Sequence, residues 1–486
     1  MTVQSAVRIR QQPPPTLYAA VATSDGDNDI ANDSSVGVSD DEPHLHPPSN
    51  QIAPSATIMS SSVNITNTIL GSGMLAMPKA LASVGLGLGS ILIALSAVAS
   101  AFGLTLLTFC ASKVGRNSSL FHISKITYPQ AAIYFDAAIA AKCFGVSISY
   151  LVIIGDLVPT VMHALFPSYA PDSLIFAKTF WITLSIILLI PVAFAKQLNS
   201  LRHTSMLALS AVVYLLAIVL GYFVLAPADG GGEEWGLPPR PAWKDIVWIN
   251  IDASFFKTLP IFVFAFTCHQ NIFAVHNELV DNSITQVSKV IRLSISTAFA
   301  VYQAIGIAGY LTFGNTVNGN IVSMYPRGVI ITGGQISLAV LFLLSYPLQC
   351  HPARACLEKV LTGGNTAIEM TEFRFSAITT GLLFGSYLIA ISVDDLSTVL
   401  SLVGATGSTA ICYILPGALY YKLRTVTDPA DAAKKWDTMK ISAVGLAIFG
   451  CFVMALSVST QVAAILSNNG KDGIGGGHRR EIVVSL

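Results

Sequence analysis

The chain has 486 residues, of which 53% are hydrophobic and 11% charged, with 27 basic and 27 acidic side chains in balance; its mean hydropathy is +0.64. A soluble domain carries about 25% charged residues, so water is not the solvent for most of this chain. The even charge balance excludes a partner held by net charge, nucleic acid above all.

In chain order, residues 1–58 come first, rich in Ser, Asp, Asn and Pro. They hold too little apolar surface to offset the entropy of ordering and are expected to form a disordered cytosolic tail, with no cleavable signal peptide. Apolar runs then recur at 59–83, 86–112, 136–164, 176–195, 204–226, 255–277, 290–313, 330–350, 374–393, 396–421 and 440–466. Each approaches the roughly 17–25 residues that cross a bilayer as a helix, and hydrocarbon leaves the backbone no other way to bond itself here. The fold class is therefore an all-α integral membrane protein of about eleven transmembrane helices. A lipid bilayer surrounds the domain 59–466, and a short tail, 467–486, follows it.

The connecting segments carry the orientation. Lys113, Arg116, Lys125, Lys196, Arg202, Lys289, Arg292, Arg354, Lys359, Arg374 and a cluster from Lys422 to Lys440 fall on one side. The opposite loops are poorer in Lys and Arg. The positive-inside bias puts the amino terminus in the cytosol and, with an odd number of crossings, the carboxyl terminus on the far side. Arg479 and Arg480 there run mildly against the rule. The longest far-side loop, 226–245, is full of Gly and Pro and separates two groups of five runs, as a repeat boundary would.

Polar residues inside the runs point to function. In the first, Gly71-Ser72-Gly73 and Pro78 stand at mid-membrane, where glycine and proline both weaken a helix. An unwound stretch would expose amides suited to a carboxylate and carbonyls suited to a cation; a plain close-packing motif is the alternative. The sixth run carries Thr267-Cys268-His269-Gln270-Asn271 at its centre. Breaks at corresponding places in two halves of a chain favour a transporter binding site over packing. Asp156, near the far end of the third run, is either a proton-handling carboxylate or a pairing and capping group. Lys142, near the start of that run, is expected to snorkel. The seven cysteines show neither a CxxC pair nor metal-ligand spacing, so neither a disulfide framework nor a metal site is expected.

As an ordered set, Asn64 to Gly73 with Met77-Pro78, Gly155-Asp156, Phe266 to Gln270 leading to Asn277-Glu278-Leu279, and Ser345-Tyr346-Pro347-Leu348-Gln349 resemble the amino acid/auxin permease family. That family holds the sodium-coupled neutral amino acid transporters and the fungal vacuolar amino acid transporters; the run from Tyr346 to Arg354 is similar to the vacuolar branch. The resemblance covers roughly 58–465. It implies a leucine-transporter-type 5+5 inverted repeat with one added helix and with discontinuous helices 1 and 6. It also implies a substrate site at Gly71, Ser72, Gly73, Phe266, Thr267, Cys268 and His269. Ion coupling is expected to involve Asn67, Ser345, Asp156 and His269. The ligands implied are free L-amino acids, the coupling ion H+ or Na+, and the membrane vacuolar or lysosomal; there is no cofactor, and nothing sets an oligomeric state.

An intramembrane enzyme finds no support, since no second deep aspartate, HExxH or Ser/His set accompanies Asp156. An amino-acid sensor on the same fold, or a surface importer, is the competing reading. No deep acidic or basic side chain is placed to meet a charged substrate, so neutral amino acids are expected.

Overall fold

The computed structural model describes residues 54–195, 204–229, 236–364, 370–427 and 437–474. Most of the expected amino-terminal tail, 1–53, lies outside the described residues, as do 475–486 of the expected carboxyl-terminal one. Among the described residues the chain is helical and forms no strand; one isolated bridge joins Ala56 to Leu279.

The first apolar run forms two helices, α1 (Ile58–Ile69) and α2 (Gly73–Val84). Thr57 and Ser60 cap α1 reciprocally, each hydroxyl accepting the other's amide, at 3.2 and 3.1 Å. Gly85 turns the chain at φ +90° into α3 (Leu86–Val114). A short helix absent from the expected runs, α4 (Leu120–Thr127), leads to α5 (Ala132–Leu165), α6 (Lys178–Ala193) and α7 (Thr204–Leu225). The sixth run divides into α8 (Ala253–Ala265), a 3-10 turn over His269–Asn271, and α9 (Ile272–Glu278). Then come α10 (Ile284–Phe313), α11 (Val329–Leu361) and α12 (Glu372–Ser392). The last two runs form α13 (Leu396–Val403), π turns over Gly404–Ser408 and Ala410–Ile414, α14 (Leu415–Thr427) and α15 (Thr438–Ile474).

Nine helical segments among the described residues are long and apolar enough to cross a membrane. The 16-residue α6 falls short of that length, and α1 and α2 fall short because their break leaves two halves of 12 residues each. Helix ends depart most from the apolar runs where charge begins. The helix α10 starts at Ile284 and carries Lys289, while α11 continues past residue 350 through Arg354 and Lys359. A helix bonds its own backbone whatever surrounds it, so it extends beyond the apolar layer without a sequence signal in hydropathy.

Small residues let the helices approach closely. A Cβ at Gly309 of α10 would come within 2.6 Å of the Pro78 ring, and Gly306 lies against Met77 and Leu81, so α10 seats directly on α2. A Cβ at Gly404 would land on the Pro260 carbonyl of α8; at Gly407 it would meet the Ala138 carbonyl and Lys142 on α5. Lys142 is buried there. The π turn at Gly407 packs on its backbone and Cβ, and the buried side chain does not snorkel to the surface as expected. Between α6, α11 and α12, the Arg354 guanidinium donates to the Ala193 carbonyl at 2.8 Å and the Thr379 hydroxyl at 3.1 Å.

The Gly404 contact is testable. Overpacking costs about 1–3 kcal/mol, so Gly404→Ala should lower the melting temperature of the detergent-purified protein by several degrees. Gly445→Ala, where a Cβ meets nothing within 4 Å, should not lower it. Equal melting of the two variants would contradict this packing.

Candidate functional site

The break in the first run spans Leu70, Gly71 and Ser72. The Gly71 amide turns back to the Ile69 carbonyl at 2.8 Å. The Ser72 and Gly73 amides, at the amino end of α2, donate to nothing among the described residues. Two uncommitted donors at a helix amino terminus suit an anionic group. The Ser72 hydroxyl accepts from Ser149 of α5 at 3.1 Å, and Tyr150 brings its hydroxyl to 4.0 Å from where a Gly71 Cβ would stand. One face of α5 therefore lines this break.

The second break runs from Phe266 to Cys268. The Phe266 carbonyl accepts from the Ser100 hydroxyl of α3 at 2.9 Å. Thr267 donates to the Val263 carbonyl at 3.0 Å and accepts from the Cys412 thiol at 3.3 Å. Cys268 and His269 are fully buried. A Cβ at Gly103 would come within 2.7 Å of the His269 Nε2 and 2.5 Å of the Cys412 carbonyl, so α3 reaches the imidazole because position 103 has no side chain. Neither ring nitrogen makes a hydrogen bond of good geometry, although the Ser100 backbone lies close to the ring.

The two breaks meet. A Cβ at Gly73 would stand 3.4 Å from the Ala265 Cα and 3.5 Å from the Phe264 ring. Asn271 donates across to the Thr68 hydroxyl at 2.7 Å. Most tellingly, the buried Tyr302 hydroxyl of α10 lies 2.6 Å from the Ile69 carbonyl and 2.8 Å from the Ala265 carbonyl. These are the last helical residues of α1 and α8. A phenol carries one proton, so Tyr302 donates to one of these carbonyls at a time, and the Ile69 carbonyl also accepts from the Gly71 amide. The Phe266 ring packs edge-on to the Tyr302 ring at 5.2 Å.

Each half-helix is also fastened at its outer end. Ala56 exchanges backbone bonds with Glu278 and Val280, at 3.0 and 3.2 Å, joining the start of α1 to the end of α9. Arg116 donates to the Asn277, Leu279 and Val280 carbonyls at 2.9–3.1 Å, a cation on the carbonyl end of a helix. At the opposite end of the bundle, Asn250 and Ser254 both donate to the Ser83 carbonyl at 3.0 Å, joining α2 to the start of α8.

Gly71, Ser72, Gly73, Phe266, Thr267, Cys268 and His269 are thus brought together at one place. Asn67 is half-buried on the last turn of α1, while Ser345 is half-buried on α11 and bonded to neither break. Asp156 stands apart. It pairs with Lys178 of α6 at 3.0 Å, about 9 Å along α5 from Tyr150 by helix rise. Tyr302, Ser100 and Ser149 do not figure among the expected residues. A tyrosine inside the apolar run of α10 carries a signal, since a buried phenol needs a partner.

Tyr302→Phe would remove the shared donor, leaving the Ala265 carbonyl unbonded and the Ile69 carbonyl with the Gly71 amide alone, at a cost of about 1–3 kcal/mol. The variant should insert normally yet show a lower melting temperature and a transport rate reduced at least tenfold. Unaltered melting and transport would show that the hydroxyl carries no such role.

Residues 54–463 match the family model described as transmembrane amino acid transporter protein. The chain is 38% identical over 417 residues to vacuolar amino acid transporter 5 of Schizosaccharomyces pombe, covering 84% of this chain and 95% of the relative. It is 35% identical over 449 residues to vacuolar amino acid transporter 6 of Saccharomyces cerevisiae, covering 82% and 97%. It is 33% identical over 459 residues to vacuolar amino acid transporter 5 of the same yeast, covering 84% and 98%. With two interrupted helices meeting at free backbone donors, and with this match over residues 54–463, the chain belongs to the transmembrane amino acid transporter family.

Proposed function

We propose that this protein is a proton-coupled exporter of neutral L-amino acids from the vacuolar lumen to the cytosol. The observation that carries the reading is the meeting of the two breaks, where the Ser72 and Gly73 amides stand uncommitted. The substrate carboxylate would accept from those amides, and its ammonium group would face the carbonyls of the Phe266–Cys268 stretch. In this reading the chain crosses the membrane eleven times as two inverted groups of five and one further helix. The positive-inside bias sets its amino terminus in the cytosol and its carboxyl terminus in the lumen.

Support for the compartment comes from relatives named vacuolar transporters. Support for the proton over sodium comes from Tyr302. Carbonyls freed at the ends of half-helices are the usual cation ligands in interrupted-helix carriers, and here both are occupied by a hydroxyl. His269, Asn67, Ser345 and Asp156 remain the candidates for handling the proton. Each pH unit across the membrane supplies about 1.4 kcal/mol per proton leaving an acidic lumen.

Proteoliposomes loaded at acidic pH with a labelled neutral amino acid test this directly. Efflux should rise with the outward proton gradient, need no sodium, and acidify the outer medium. Gly73→Ala should retain transport, because its Cβ meets only ordinary contacts, whereas Gly73→Leu should abolish it without loss of expression. His269→Gln should lose the pH dependence if the imidazole carries the proton. Sodium-driven movement, movement against the proton flow, or full activity of Gly73→Leu would contradict the proposal.

A further inference from the structure

Three basic side chains are buried among the described residues, Lys142, Arg354 and Lys440. Arg354 donates to the Ala193 carbonyl and the Thr379 hydroxyl, and Lys440 lies beside the Asp437 carboxylate. Lys142 is 4% exposed and makes neither a hydrogen bond nor an ion pair among the described residues. It lies well inside α5, about 15 Å by helix rise from Ala132 at the start. An unpaired charge at membrane depth is costly, and residues of this kind mark ion or proton pathways. A lysine, unlike an arginine, has a second way out, because its ammonium gives up a proton.

The titratable groups around Lys142 are thiols. Cys143 stands next to it on α5, Cys268 faces it from the break between α8 and α9, and Cys412 from the second π turn. On α11, Cys350 and Cys356 lie within reach of Cys143. The carboxylate nearest in sequence, Asp136, lies about 120° around α5, beside Cys356 and 4.0 Å from Lys359 of α11. The charges of α6 and α12 are committed elsewhere, Lys178 to Asp156 and Arg374 to Glu358; Lys125 of α4 donates to the Gly364 carbonyl. Two more polar groups in this region lack partners. Gly407 of the first π turn packs on the Lys142 backbone and Cβ, and the adjacent Ser408 is fully buried with its hydroxyl unbonded. His269, equally buried and unbonded, meets the Cys412 carbonyl over Gly103. π turns within helices recur at functional sites.

We infer that Lys142 carries the coupled proton, taking it up as the ammonium when the site faces the lumen and releasing it as the amine when the site faces the cytosol. The inference rests on the transport reading above. A zwitterionic substrate brings no net charge, so the proton that travels with it resides on the chain. Asn67 and Ser345 do not titrate near neutral pH, and Asp156 is held by Lys178. Lys142 is seven residues before Ser149 and so on the same face of α5, about 10 Å by helix rise from the residue that touches Ser72. In an interior poor in water, charges are felt over that distance. The incoming carboxylate is then the counter-charge that the lysine lacks.

Leucine binding to the purified full chain, measured from about pH 5 to pH 8, reads the linked proton. In wild type the Kd should rise about tenfold per pH unit above a midpoint, with one proton taken up per leucine. Lys142→Met should bind with a Kd that changes less than about twofold over that range, and its efflux from proteoliposomes should respond at least tenfold less to the proton gradient. Lys142→His should regain the pH dependence with its midpoint at more acidic pH, since an imidazole holds its proton less tightly than an amine. A merely structural role would not produce that shift. Full pH dependence in a folded Lys142→Met, or its loss in His269→Gln alone, would overturn the role of Lys142 and leave the transport reading intact. Failure of Lys142→Met, Lys142→His and Lys142→Arg alike to insert would mark Lys142 as a packing residue and overturn it equally. A wild type whose efflux moves no protons would overturn both.

Discussion

Two helices that stop inside an apolar bundle leave carbonyls and amides that no water can bond, and each such group costs several kcal/mol if left alone. The structure depends on how those groups are met. On the carbonyl side, one hydroxyl answers both ends: Tyr302 reaches Ile69 and Ala265 together. Ser100 answers Phe266. On the amide side, Ser72 and Gly73 are left open. The Ile69, Ala265 and Phe266 carbonyls are met by hydroxyls of the protein itself while two amides at the start of α2 stay open, and open donors at a helix amino end suit a carboxylate.

The same bonds divide the four half-helices into two pairs. α1 and α9 are laced by Asn271–Thr68 at the break and by the Ala56 bridge at the outer end. α2 and α8 touch at Gly73 and are held by Asn250 and Ser254 at Ser83. Each pair is fastened at both ends. The shared proton of Tyr302 sits between them, and its two acceptors belong to different pairs.

Much of this is legible in the sequence. Gly71, Ser72, Gly73 and the run Thr267 to Asn271 mark both breaks, because glycines weaken a helix at mid-membrane and polar side chains there are costly unless they face a cavity. The stabilising partners are less visible. Ser100 and Ser149 look like ordinary small residues of a packed membrane helix, and only the approach of another backbone gives them a role. Lys142 reads as a snorkelling lysine by its place near a helix start; the π turns that bury it depend on Gly404 and Gly407, whose contacts are long-range. Asp156 is ambiguous from sequence, since its partner Lys178 opens the next helix and pairing does not exclude proton traffic. The start of α10 and the end of α11 escape notice because hydropathy fades where helical hydrogen bonding does not.

The central claim is that the open amides of Ser72 and Gly73 receive the substrate carboxylate while Tyr302 holds the two carbonyl ends. A structure of the purified protein with a bound neutral amino acid tests it most directly. The account predicts the carboxylate within about 2.7–3.2 Å of both amides, with the Tyr302 hydroxyl still bonded to at least one of Ile69 and Ala265. Substrate bound elsewhere, with those amides empty or closed into a continuous helix, would contradict it.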